Sequence, residues 1–346
     1  MPALAKSLRI IVAVAALFAI GMALTRLRVA DEGLTIATTI LAGTPVTVYR
    51  QRYAGPRPVV VLAHGFAGSQ QLMRALATTF ARNGYIAVTF DFLGHGRNPH
   101  PLTGSITKAD GATRALVIQT AAVCAYARRL GDGRVAILGH SMASDIVVRV
   151  AQAQPDIAAT IAVSMFSPAV TRTAPRNLLV VAGEWETTLQ REALRVVAQA
   201  SAPAPPAEAT TYGSFAAGTA RRASFSPGVE HVGVLYSRAS MAAALSWLDA
   251  AFGTARRDQP YLDARGPWVL LLIAGLTALA WPLSRALPEL RRAPAGAGLG
   301  WRAIWPCLIV PAVATPLLLR AAPTHFLPIL VGDYLALHLR CTARSI

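Results

Sequence analysis

Gly139-His140-Ser141-Met142-Ala143 lies between an apolar run, Val135-Ala136-Ile137-Leu138, and a segment in which Ile146, Val147 and Val150 recur at helical spacing. The run predicts a buried strand and the segment a helix. A serine placed between them sits on a sharp strand-to-helix turn, with a strained backbone and its hydroxyl directed outward. Small neighbours are needed for such a turn to close. The helix that starts there adds backbone N–H groups and the positive end of its dipole beside the hydroxyl. That setting suits an oxyanion better than it suits packing. The pentapeptide alone is also compatible with a β–α turn bearing a solvated serine, so its reading depends on the rest of the chain.

Working outward, Leu34 to Arg50 reads as two strands around Gly43-Thr44-Pro45. Val59-Val60-Val61-Leu62-Ala63 and Ile86 to Phe90 are continuous apolar runs, as expected of strands buried on both faces. Helices are predicted over Gln70 to Ala81, Asp110 to Leu130, Leu189 to Ala200 and residues 237–252. Further strands are predicted over Ile157 to Val163, Asn177 to Ala182 and Arg221 to Phe225. This alternation predicts a mostly parallel sheet with helices on both faces. Ligands of such sheets gather at the carboxyl ends of the strands, where Phe66, Asp91, Ser141, Glu186 and His231 would converge.

Several signals stand in chain order: His64-Gly65-Phe66, Asp91-x-x-Gly94-His95-Gly96, Gly139-His140-Ser141-Met142-Ala143, Gly183-x-x-Glu186, and His231. In this order the chain resembles the α/β-hydrolase superfamily over roughly residues 35–253. The resemblance implies Ser141 as nucleophile, His231 as the base that takes its proton, and Glu186 as the acid that orients the histidine. Relatives mostly carry Asp at the acid position, and Glu184 stands two residues away as an alternative. The backbone N–H groups of Phe66 and Met142 would form the oxyanion hole. Asp91 and His95 read as a structural turn, His140 as a packing residue, and Glu230 as surface charge. Ala143 replaces the usual second glycine of the turn, which is tolerable while its backbone angles stay negative. Only residues 164–176 are available for a lid, which predicts a lidless or minimally lidded fold.

The 346 residues are 54% hydrophobic with a mean hydropathy of +0.44, and the excess sits at the two ends. Ile10 to Thr25 is uncharged, and without a persuasive cleavage site it reads as an uncleaved anchor. Gly266 to Ser284 and Ala303 to Leu319 are long enough to cross a bilayer, while Ala321 to Leu339 contains Asp333 and is doubtful. The expected organisation is a membrane anchor at 1–29, a hydrolase domain at 30–255 and a C-terminal membrane region at 256–346 with two or three spans. The net charge of +16 excludes little by its size, but its distribution argues against nucleic acid. Residues 30–265 hold 22 basic and 15 acidic residues, scattered rather than gathered in a stripe, and much of the remainder flanks the apolar segments. Lys6 and Arg9 before the first span, with Arg285, Arg291, Arg292 and Arg302 in a later loop, favour a domain outside a bacterial-type inner membrane. Arg26, Arg28, Arg256, Arg257 and Arg265 favour the reverse, so charge leaves both orientations open.

Three cysteines, Cys124, Cys307 and Cys341, occur without CxxC or CxxH spacing, so neither a metal nor a cofactor is expected. The leading expectation is a membrane-anchored serine hydrolase of carboxylic esters or thioesters. Its substrate would be a small-molecule or lipid-derived ester, with membrane lipids as neighbours. An acyltransferase or peptidase using the same residues, and a non-catalytic hydrolase-fold binding domain, are the alternatives.

Overall fold

The computed structural model describes residues 2–53, 55–104, 110–256, 258–288, 298, 300–320 and 332–345. An apolar helix, α1 (Pro2–Ala30), leads into the hairpin β1 (Leu34–Leu41) and β2 (Thr44–Gln51). Ala42 and Gly43 make its two-residue turn, both at positive φ, as the twist of a tight hairpin requires. Then come β3 (Val59–Ala63), α2 (Arg74–Arg82), β4 (Ile86–Phe90), α3 (Ala112–Arg128) and β5 (Val135–His140). They are followed by α4 (Met142–Ala153), β6 (Ala159–Val163), β7 (Leu178–Gly183), α5 (Thr187–Ser201), β8 (Arg221–Ser226) and α6 (Arg238–Phe252). The eight strands form one sheet in the order β1-β2-β4-β3-β5-β6-β7-β8, antiparallel at β1–β2 and β2–β4 and parallel elsewhere.

The period of two along a strand divides the core between the faces. Val60 and Leu62 of β3, with Ala136 and Leu138 of β5, join Leu76 and Phe80 of α2 and Leu245 and Leu248 of α6. Val59, Val61, Val135 and Ile137 point the other way, against Leu116 and Val123 of α3 and Ile146 and Val150 of α4. Both faces are therefore covered, which is why the central strands read as unbroken apolar runs. Between β6 and β7, residues 164–177 form no helix, so no lid is built there.

Two boundaries differ from the sequence expectation for one reason. β5 continues through Gly139 and His140, and α4 begins at Met142, so Ser141 is the whole connection. A turn of one residue leaves no spacer to read as a break.

Beyond the sheet lie α7 (Arg265–Leu283), α8 (Trp301–Leu319) and α9 (Gly332–Ser345). Lys6–Ala30, Arg265–Leu283 and Trp301–Leu319 are long and apolar enough to cross a membrane. Of the doubtful stretch Ala321 to Leu339, residues 321–331 fall outside the described residues, as do Arg257, Arg291 and Arg292, and residues 332–339 lie in α9. α1 and α7 run antiparallel, since Gly275 packs on Ala16 and Ile20 while Arg26 covers the Trp268 ring. A Cβ on Gly275 would stand 2.9 Å from Ile20, so the glycine permits this close approach.

A buried polar cluster fastens the two helices to the sheet domain. Arg265 donates to Asp263 at 2.7 and 2.9 Å, to the Thr78 hydroxyl of α2 at 2.8 Å, and to Asp31 after α1 at 3.4 Å. Arg74 of α2 also pairs with Asp31. Asp263 is fully buried, so its charge depends on Arg265. Arg265→Leu is therefore expected to lower stability by about 3–5 kcal/mol, read as a fall in the unfolding midpoint of the detergent-solubilised chain. A change below 1 kcal/mol would show that Asp263 finds another partner or a proton.

Candidate active site

Four loops bring the chemistry to the carboxyl edge of the sheet, and the tightest is the turn at Ser141. Its φ is 54° and its ψ −120°, a positive-φ conformation that a non-glycine residue rarely holds. Ser141 N–H donates to the Val163 carbonyl at 2.9 Å, and the Ser141 carbonyl accepts from Ser144 N–H at 2.8 Å and Ser144 Oγ at 2.6 Å. Bonds on both sides thus hold the residue. A methyl on Gly139 would lie 2.4 Å from the Ala143 carbonyl oxygen, so glycine is required there. Ala143 itself is fully buried inside α4 and absorbs its extra methyl without positive φ.

The structure brings Ser141, His231 and Glu186 into one hydrogen-bonded line. Ser141 Oγ is 2.8 Å from His231 Nε2, and His231 Nδ1 is 2.5 Å from Glu186 Oε1. An ionised carboxylate only accepts, so the proton belongs on Nδ1 and the Nε2 lone pair faces the serine hydroxyl. The second carboxylate oxygen, Oε2, accepts from Gly183 N–H and from Ser164 Oγ, each at 2.7 Å. Glu186 is 6% exposed in its side chain and His231 44%, so the acid is enclosed while the base is half-exposed.

The competing acids go elsewhere. Glu184 accepts from Gly228 N–H at 2.6 Å and ties the loop after β8. Glu230 accepts from Val232 and Gly233 N–H, both at 2.7 Å, and caps the short 3-10 turn that follows. Ser164 was not singled out in the sequence. It stands at φ 52° directly after β6, the neighbour of β5, and a serine at a strand end carries no distinguishing signal.

Phe66 follows β3, and Met142 is the first residue of α4, a position with no intrahelical acceptor for its N–H. The Gly65 carbonyl accepts from His64 Nδ1 at 2.8 Å and from Gly68 N–H at 3.1 Å, and His64 Nε2 accepts from Phe92 N–H at 3.1 Å. Fixing that carbonyl fixes the peptide plane whose opposite edge is Phe66 N–H. Asp91 behaves as a structural turn: it accepts from Gln70 N–H and side chain and from Arg97 N–H, and Gly96 packs directly on it. Among the described residues no group of His, Cys, Asp and Glu is arranged to hold a metal.

The serine turn, its partner order and the mostly parallel sheet coincide with a match at residues 54–209 to the family model described as serine aminopeptidase, S33. The chain has the α/β-hydrolase fold. The match includes Ser141 and Glu186 and ends before His231. Among solved structures, an epoxide hydrolase from Vigna radiata is 26% identical at a TM-score of 0.32 and covers 40% of each chain. A predicted CIB-like hydrolase from Thermoplasma acidophilum is 16% identical at 0.44, covering 63% of this chain and 98% of that chain. A protein from Thermus thermophilus is 18% identical at 0.43, covering 63% and 99%. The present chain thus spans well under half the length of the Vigna enzyme. No curated protein matches it in sequence.

Burial holds two imidazoles of this chain neutral: His64 and His140 are both pushed down to about 4 by desolvation. In the unfolded chain the same rings take up protons near pH 6.5. Between pH 6.5 and 4 the unfolded state therefore binds more protons, and stability falls as the pH falls. Each ring contributes about 1.4 kcal/mol per pH unit, levelling off below 4. The unfolding midpoint is expected to drop between pH 6.5 and 5, and less steeply in His64→Gln. A midpoint flat across that window would contradict neutral burial.

Proposed function

We propose that the chain is a membrane-anchored serine hydrolase that cleaves carboxylic esters or thioesters through an acyl-enzyme. One observation carries this reading: the hydrogen-bonded line from Ser141 Oγ through His231 to Glu186. An unassisted hydroxyl is a poor nucleophile, and His231 Nε2 is placed to take its proton as Oγ bonds to the substrate carbonyl carbon. Glu186 stabilises the imidazolium that forms and keeps the ring in one tautomer. The carbonyl oxygen becomes an oxyanion, received by the N–H groups of Phe66 and Met142, with the start of α4 adding its dipole. His231 then returns the proton to the departing alkoxide or thiolate. Water, deprotonated by the same imidazole, attacks the acyl carbon and restores Ser141.

Large apolar side chains rim this edge: Phe66, Phe166, Trp185 and Val232 are 47%, 66%, 66% and 45% exposed. Each follows a strand end or flanks a site residue, and residues 164–177 between β6 and β7 build no helix over them. Apolar side chains at this edge suit an acyl or alkyl chain. With three helices among the described residues long and apolar enough to span a bilayer, this favours lipid-derived esters as the substrate class. A peptidase is the second reading, favoured by the description of the matched family.

Ser141→Ala and His231→Ala are each expected to reduce ester hydrolysis by several orders of magnitude with the fold intact, because these groups act on one transition state. Glu186→Gln should be far more damaging than Glu184→Gln, since only Glu186 touches the histidine. A panel of p-nitrophenyl esters, thioesters and aminoacyl amides over the full chain tests both. More than a tenth of wild-type rate in Ser141→Ala would sink the assignment, and preference for the amides would select the peptidase.

A further inference from the structure

His140 precedes the nucleophile, and the chemistry above does not use it. Its side chain is buried, 3% exposed, and its Nε2 lies 2.8 Å from the backbone carbonyl of His231, across 91 residues of chain. The two imidazole rings lie 4.9 Å apart. A carbonyl only accepts, so His140 Nε2 carries the proton and Nδ1 presents a lone pair. Among the described residues that buried Nδ1 has no hydrogen-bond partner. It faces Gly65, where a Cβ would come within 3.0 Å of it. An unpaired buried acceptor is destabilising, and an apolar side chain of similar size would fill the same space without that loss. What the imidazole adds is the donor at its other end.

We propose that His140 is a positioning residue for His231: an N–H donor on the rigid end of β5 that grips the His231 backbone and so sets the ring between Ser141 and Glu186. This rests on the triad reading above. The base sits on a loop after β8, three strands away from β5 in the sheet, and its side chain is 44% exposed against 6% for Glu186. A bond from β5 to that loop ties nucleophile and base to one frame.

The choice of donor follows from the charges around it. The titratable groups that face His140 are His231, Glu186, Glu230 and, by way of the Gly65 turn, His64. A cationic donor in this place would oppose the imidazolium that forms on His231. A carboxylate at Nδ1 would hold His140 protonated, and none is there. Burial keeps the ring neutral, down to about 4, so it donates without adding charge.

The test compares two near-isosteric variants of the full chain in detergent micelles, with Ser141→Ala beside them. His140→Met fills the space and lacks the donor; His140→Gln carries an amide N–H that reaches about as far as Nε2. His140→Met is expected to lose about tenfold in kcat with KM within about twofold, since a misplaced base is felt in the transition state. The acid limb of its rate profile should move to lower pH, because a loosened Glu186 contact stabilises the imidazolium less. His140→Gln should recover most of the rate and the profile. Wild-type kcat and profile in His140→Met would overturn the inference, as would equal losses in both variants, which would mean that the ring only fills space. Should His140→Met not fold, His140→Asn, one methylene too short, takes its place, with the rate of fluorophosphonate labelling as readout. Slower labelling is then expected, and labelling at the wild-type rate overturns the inference. An active Ser141→Ala would bring down the triad reading itself; an inactive Ser141→Ala beside wild-type behaviour at His140 would bring down only this inference.

Discussion

Ser141 holds φ 54° and ψ −120° because every neighbouring contact leaves it nowhere else to go, and the site depends on that constraint. A residue in such a conformation stores roughly 1–3 kcal/mol. The offset is local: amide and carbonyl bonds on both sides of the serine, β5 packed between β3 and β6, and α4 packed on the sheet through Ile146 and Val150. Close approach finishes it. Gly139 against the Ala143 carbonyl and Gly65 against the serine Cβ are contacts that larger residues would break. The same tightness leaves the hydroxyl as the one group of Ser141 that points free of the backbone, toward His231.

Charge is distributed as unevenly as strain. Glu186 is enclosed and holds three donors, while the neighbouring histidines His64 and His140 are kept neutral by burial. His231 is half-exposed on one side and bonded to the Glu186 carboxylate on the other. The neutral rings instead do backbone work: His64 fixes the peptide of the oxyanion loop, and His140 grips the loop of the base. A separate set of charges, the Asp31–Arg74–Arg265–Asp263 cluster, joins α1 and α7 to α2.

Much of this was legible in the sequence, for a physical reason. Strands buried on both faces must be apolar without interruption, so Val59–Ala63 and Val135–Leu138 announce a parallel sheet, and the residues after them announce its carboxyl edge. Less legible was anything decided by where one side chain points. Glu184 and Glu186 stand in the same turn, and only the chain path after β8 sends one to Gly228 and the other to His231. Ser164 gave no signal because its role comes from β6 lying beside β7, a long-range fact. His140 looked like packing because a donor to a backbone carbonyl 91 residues away leaves no pattern nearby. In the apolar tail, hydropathy marks α7 and α8 well.

The central claim is that this strained serine is the atom that becomes acylated. Rapid quenching of the full chain with a p-nitrophenyl ester, within the first turnover, followed by peptide mapping by mass spectrometry, asks that directly. The account predicts a burst of p-nitrophenol and one acyl group on the peptide that contains Ser141, absent from Ser141→Ala and accumulating in His231→Ala only over much longer times. Turnover of the ester with no acylated peptide, or an acyl group found on any other residue, would contradict it.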